Sequence, residues 1–281
     1  MCTVVVSLVP GDRMPLLLLG SRDEFTGRPW QPPARHWPGS PLVGGRDEEA
    51  GGTWLAVHPE VPRVSCILNA RGRPAALSGR RSRGELPLRA AADGQRALRA
   101  WYKDPGVLTS YDPFYLVCAD LSSVLLLSWD GHHAALEGLE PGTHVLTNAG
   151  HMYPRGGADA PPSPPPEGLP DPMAKADRFG PKFAARRPSG DPAASIANAW
   201  GEWLALADGD GLPDTDPAAI IVRRELPDGR VWGTTSVSLI ALGAHGLRYD
   251  FQPVPAGPAT WYSVDVAAIR RTRSTPASPS R

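Results

Sequence analysis

The chain opens with two wholly apolar runs. Residues 3–9 are rich in β-branched side chains, Gly11-Asp12-Arg13-Met14 carries turn chemistry, and residues 16–19 are four consecutive leucines. Short continuous apolar runs bounded by turn residues mark strands covered on both faces, so the pattern predicts a buried hairpin. Similar runs, separated by Gly, Pro or Asp, predict further strands at 53–58, 63–69, 114–119, 124–129 and 143–148. Residues 88–103 are rich in Ala and Leu with Arg on the other faces; Pro87 precedes them and Pro105 follows, which predicts a single amphipathic helix. Prolines and glycines crowd residues 152–172, which predicts a mobile insertion. Helices at 173–186 and 192–207 follow, then strands at 218–224, 230–242 and 246–252. Strands flanking grouped helices predict an α+β fold of layered sheets faced by helices, in one domain over 1–269, with a disordered tail at 270–281.

A chain of 281 residues that is 41% hydrophobic can bury a large core. Lys+Arg and Asp+Glu both number 29, so no global field attracts nucleic acid or an anionic membrane. Nucleic acid is therefore not an expected partner. Cys2, Cys66 and Cys118 match neither a disulfide framework nor a metal-ligand spacing, which points to a reducing compartment and a cytoplasmic location. The apolar start lacks the flanks of a signal peptide, and no apolar run reaches spanning length, so no membrane insertion is expected. Oligomeric state is not readable from the sequence.

The densest chemistry lies near the N-terminus. A hairpin turn centred between Asp12 and Arg13 would pair Cys2 with Asp23 and bring Arg22 alongside; a slip of one residue would exchange the faces. Ser21-Arg22-Asp23-Glu24 directly follows the leucine run and Gly20, and buried charges are costly unless paired or used. If Met1 is removed, Cys2 carries both a nucleophile and a base: the thiol attacks a carbonyl and the α-amine, with a pKa of roughly 7.7–8.0, takes its proton. The alternative is a structural strand cysteine with Met1 retained. Asn69 and Asn148 end predicted strands, where Asn also serves as an ordinary turn former. Arg71, Arg73, Arg80, Arg81 and Arg83 form a basic loop suited to a carboxylate or phosphate, or simply to solvent. Gly51-Gly52 permits close backbone approach or a bulge. His36, His58, His144 and His151 show no ligand spacing.

Taken in order, Met1-Cys2-Thr3, Ser21-Arg22-Asp23-Glu24-Phe25, Gly44-Gly45-Arg46-Asp47, Gly51-Gly52-Thr53-Trp54-Leu55, Asn69-Ala70-Arg71 and Ser82-Arg83-Gly84 resemble the NRDE family, that of the transport and Golgi organisation protein two. The likeness extends more weakly through residues 143–148 and Trp232-Gly233-Thr234. It implies an Ntn-hydrolase-like, four-layer αββα sandwich of two mostly antiparallel sheets faced by helices. By the same resemblance Cys2 is the nucleophile, Arg22 and Asp23 orient it, and Asn69 or Asn148 binds the oxyanion. Glu24, Arg46, Trp54, Arg71 and Arg83 are the implied substrate contacts. The implied activity is hydrolysis or transfer on a small-molecule amide or acyl group, with no cofactor for catalysis. Links of relatives to haem trafficking and lipid homeostasis imply the alternative of a carrier, with haem or an acyl lipid as ligand. Two positions depart from the family pattern: Ser21 replaces the signature Asn, and Thr235 stands where an arginine is usual.

Overall fold

The computed structural model describes residues 2–154, 170–254 and 260–266. The hairpin forms as β1 (Thr3–Leu8) and β2 (Leu16–Phe25), the second strand running on through the charged cluster. There follow β3 (Trp30–Ala34), β4 (Val43–Asp47), β5 (Leu55–His58), β6 (Arg63–Asn69), α1 (Glu85–Asp93), α2 (Gln95–Lys103), β7 (Phe114–Ala119), β8 (Val124–Trp129), β9 (Ala134–Leu139), β10 (Gly142–Thr147) and β11 (Gly150–Tyr153). The remaining elements are α3 (Pro172–Ala185), α4 (Ile196–Trp200), α5 (Glu202–Ala207), β12 (Arg223–Glu225), β13 (Val231–Gly243), β14 (Gly246–Pro253) and β15 (Tyr262–Ser263). One antiparallel sheet has the order β11-β10-β1-β2-β13-β14-β15, with β12 on β13; the other is the meander β3 to β9.

Three apolar layers join four structural ones. Val4, Val6, Leu16 and Leu18 face the second sheet and pack with Val57, Val64 and Leu126. Val5, Leu17 and Leu19, on the reverse face, pack with Phe179, Phe183, Trp200 and Trp203 of α3 to α5. On the outside of the second sheet, Leu116 and Leu127 meet Leu86, Leu98 and Trp101 of α1 and α2. The result is the αββα sandwich that the resemblance implied. Both faces of β1 and β2 are covered, which is why neither strand alternates apolar with polar. Each buried Leu contributes about 1.5–3 kcal/mol.

Several boundaries differ from expectation, each for a local reason. The helix expected over 88–103 is two helices, because Gly94 adopts φ 73° between them. A Cβ at Gly94 would also lie 2.8 Å from the Arg63 guanidinium carbon. Likewise the helix expected over 192–207 is broken at Gly201, φ 49°, into α4 and α5. The strand expected at 218–224 contracts to β12. β3 was hidden by Pro32 and Pro33, which a sheet edge tolerates because a missing N–H there breaks no ladder. The segment 155–169, most of the Pro-rich stretch, and the tail from 270 lie outside the described residues. At the edges of that stretch Met152 and Tyr153 belong to β11, and Pro172 opens α3.

The hairpin register is also corrected. Thr3 pairs with Ser21 and Val4 with Gly20, so continuing the ladder by one position sets Cys2 opposite Arg22 and not Asp23. Paired residues share a face, and successive residues alternate. Cys2 and Arg22 therefore face the layer between the sheets, while Thr3, Ser21 and Asp23 face the helices.

Candidate active site

Where the two sheets part near the start of β1, a cavity of about 470 Å³ opens, with Cys2, Arg22, Glu24, Trp54, Asn69 and Arg83 among its lining residues. Cys2 is half-buried and packs against the inter-sheet core; its Sγ lies 3.8 Å from the Asp23 carbonyl oxygen. Burial pushes its thiol up from the ordinary range, and the nearby Asp23 charge adds to this. With Met1 in place the thiol rests protonated, so attack on a carbonyl needs a base.

Arg22 is fixed from several sides. Its Nη2 donates to Asp47 Oδ2 at 2.9 Å, its Nη1 donates to Thr235 Oγ1 at 3.0 Å, and its guanidinium lies 4.6 Å from the Trp54 ring centroid. Thr235 in turn donates to the Arg22 carbonyl at 3.1 Å. Asp47 also receives Arg28 Nε at 2.7 Å and Arg28 Nη2 at 3.0 Å, and accepts from the Ala50 N–H at 2.9 Å. Burial alone would raise the Asp47 carboxyl, but the Arg28 and Ala50 hydrogen bonds and the two guanidinium charges outweigh it and hold the group below its usual range. Because Arg22 comes from one sheet and Asp47 from the other, this ion pair ties the sheets together at the cavity.

The reverse face of β1 and β2 carries a second polar group. Asp23 Oδ1 accepts from Thr234 Oγ1 at 2.8 Å, and the fully buried Lys175 of α3 donates from Nζ to Thr3 Oγ1 at 3.1 Å. Burial pushes the Lys175 ammonium down, opposed by the charge of Asp23. Asp23 and Lys175 thus underlie the first residues of β1, one strand thickness from the thiol.

Glycines shape the cavity wall. A Cβ at Gly45 would lie 2.2 Å from the Trp54 ring, so this position must be bare for the indole to lie flat. A Cβ at Gly52 would lie 2.4 Å from the Gly84 carbonyl carbon, and the Thr53 N–H donates to Gly84 O at 2.9 Å. The Gly-Gly-Thr and Ser-Arg-Gly motifs are two sides of one backbone contact. It sets Arg83 at the cavity, where Nη1 donates to the Pro113 carbonyl at 2.7 Å.

The residues expected from the sequence divide into two groups. Cys2, Arg22, Glu24, Trp54, Asn69 and Arg83 line the cavity, and Asp23 borders it while its carboxylate bonds Thr234 on the reverse face. Asn148, Arg46 and Arg71 are not among the lining residues. Asn148 donates from Nδ2 to the Asn69 carbonyl, tying the end of β10 to that of β6, and its Oδ1 is buried with no hydrogen-bond partner among the described residues. Arg46 follows Gly45 on the face opposite Asp47, and Arg71 is exposed in the loop after β6. The departing positions have structural work: Ser21 Oγ accepts from the Thr3 N–H at 3.1 Å, and Thr235 holds Arg22. Neither lines the cavity. Sequence reasoning missed Arg28, Asp47, Asp112 and Lys175. Asp47 stood inside a quoted motif, and Lys175 sits between Ala174 and Ala176 on a helix otherwise buried by apolar residues, a signal that was present but not used.

The fold and site define an α+β sandwich with a thiol and an arginine cluster facing one inter-sheet cavity. The family model for Transport and Golgi organisation 2 matches residues 1–161, and the chain belongs to this family. All residues that line the cavity, from Cys2 to Asp112, fall inside the matched stretch. A comparison with curated proteins found no match. No helix among the described residues is long and apolar enough to cross a membrane.

Proposed function

We propose that the protein is an N-terminal-nucleophile hydrolase or acyl transferase acting on a small-molecule amide, with Cys2 as nucleophile once Met1 is removed. The observation that supports this best is the placement of the Cys2 thiol and the immobilised Arg22 on one face, both at the cavity. In this reading the α-amine of Cys2 takes the thiol proton as sulfur attacks the substrate carbonyl. The side-chain amide of Asn69 donates to the oxyanion, an interaction typically worth about 2.7–4 kcal/mol. The resulting ammonium protonates the leaving amine, and water or a second amine resolves the thioester. Asp23 and Lys175 act from the reverse face by setting the charge around the start of β1. A cytoplasmic location belongs to the same reading and is supported by three free thiols.

The test is an intact mass of the purified protein before and after an electrophilic acyl probe. Loss of Met1 and a single adduct that Cys2→Ala abolishes are expected; a mature chain retaining Met1 would end the proposal.

A second reading, binding without turnover, draws support from the protonated resting thiol. Its ligand would be an acyl lipid or haem. No histidine lies among the described lining residues, so this reading rests on the cavity and its arginines and not on a ligand to iron. Titration with haem and with acyl-CoA separates the readings, since a carrier binds saturably and its binding survives Cys2→Ala.

A further inference from the structure

Arg22, Arg28, Arg80, Arg81 and Arg83 all line the cavity. Four of them are matched to carboxylates of the protein itself. Arg22 and Arg28 share Asp47 at 2.9 and 2.7 Å, Arg80 meets Asp112 at 3.3 Å, and Arg81 meets Glu85 at 2.6 Å. Arg83 differs: among the described residues no carboxylate lies within ion-pair distance of it, and its one hydrogen bond goes to a neutral carbonyl, that of Pro113. Its side chain is half-buried and burial pushes its guanidinium down, while the Asp112 and Glu24 charges act on it only from beyond contact, so a ligand anion would meet a cation with no direct ion pair.

The position is also rigid. The backbone of Gly84 is pressed against Gly52 and bonded to Thr53, so the stem of Arg83 starts from a fixed point, and the Pro113 carbonyl fixes one guanidinium nitrogen. The remaining N–H groups are left for a planar, two-oxygen acceptor, the geometry in which guanidinium and carboxylate fit best. One cation without a direct ion pair matches one negative charge. A phosphate dianion would ask for a second free cation, and the other four arginines are already engaged.

We propose that Arg83 is the anchor for a carboxylate on the ligand, so that the substrates are amide or acyl compounds carrying a free monoanionic carboxylate. This rests on the cavity being the site at which Cys2 reacts, and it names the class of molecule bound there. Arg83 holds the carboxylate at one wall and thereby aims the scissile carbonyl at the thiol on another.

The experiment has two arms. In the first, the purified full chain is alkylated with iodoacetate and with iodoacetamide, which differ in the carboxylate alone, and the rate ratio at Cys2 is compared with that of free N-acetylcysteine. The expected ratio favours iodoacetate by roughly ten-fold or more over the free thiol, the factor that a charge-assisted hydrogen bond supplies. Arg83→Gln removes the preference, whereas Arg96→Gln, on the exposed face of α2, keeps it. A preference that survives Arg83→Gln would overturn the anchor.

In the second arm, N-acetylglycine, N-acetylglycinamide and inorganic phosphate are titrated calorimetrically into wild type, Arg83→Gln and Arg83→Lys. Tighter binding of the carboxylate than of the amide or phosphate is expected, lost in Arg83→Gln and partly restored in Arg83→Lys. Equal affinities, no saturable carboxylate binding, or phosphate binding as tightly as carboxylate would each overturn the proposal. Because this arm does not involve the thiol, an unreactive Cys2 with intact carboxylate selectivity would sink the nucleophile reading and leave the anchor standing.

Discussion

Replacing Asp47 by Asn removes one charge and leaves the shape nearly unchanged. Each Asp47 oxygen accepts two hydrogen bonds, Oδ2 from Arg22 and Arg28, and Oδ1 from Arg28 and the Ala50 N–H. The amide keeps one oxygen and turns an NH2 group toward two N–H donors. Two bonds to charged groups are lost, each worth about 1.5–3 kcal/mol. Arg28 is 29% exposed and can lean on Glu49, 2.9 Å away, which recovers part of the loss. Arg22 is 5% exposed and has no such escape. A net destabilisation of about 3 kcal/mol is therefore expected at pH 7, at the lower end of the cost of breaking a buried pair. The assay is urea unfolding of wild type and Asp47→Asn from pH 7 down to pH 3. The folded carboxyl lies below its ordinary value of about 3.9, so its contribution is complete above that value and is lost as pH falls through the folded pKa. The stability gap should be level from pH 7 to pH 5 and narrow below about pH 4. A gap under ~1 kcal/mol at pH 7, or one that does not narrow in acid, would refute the role of the ion pair.

Three further outcomes are expected. A neutral thiol reagent at pH 8 should label Cys2 in the native protein and spare Cys66 and Cys118, which burial removes from reach while pushing the Cys118 thiol up to about 12; peptide mass spectrometry showing native labelling of either at the rate of Cys2 would contradict this. Gly52→Ala must drive the backbone away from Gly84, so it should lose about 1–3 kcal/mol in urea unfolding and also the iodoacetate preference assigned to Arg83. For Lys175 the folded pKa is depressed by burial, so the unfolded chain holds the extra proton and wild-type stability should rise with pH, relative to Lys175→Met, up to about pH 10. A flat difference between pH 7 and pH 10 would show that Lys175 is charged equally in both states.

Three strands were legible to the residue, since β6, β7 and β8 run over the ranges their apolar pattern predicts, whereas β5 starts two residues later and β10 lies one residue earlier than expected. The first hairpin was legible as a hairpin but not in register, because Val9 N–H bonds to Pro15 O and the connection centres on Asp12, an odd count that turn chemistry does not reveal. Glycine breaks inside α-helical patterns were missed at Gly94 and Gly201, where amphipathic spacing on either side continues smoothly. In the site, ordered motifs sufficed to find Cys2, Arg22, Trp54, Asn69 and Arg83. Arg28 and Asp112 owe their place to partners distant in sequence, and no local pattern marks them.

The first hairpin has apolar residues on both faces of both strands, so sliding β1 by one position against β2 would cost little hydrophobic contact. What keys it are two hydroxyls four residues apart. Thr3 takes the Lys175 ammonium, and Ser7 takes Arg187, whose guanidinium also caps the Ser7, Met14 and Pro15 carbonyls. A slip would carry both hydroxyls into the inter-sheet core and Cys2 under the helices. Which compartment the thiol inhabits is thus decided by two cations from the far half of the chain, read off the strand like teeth on a rack.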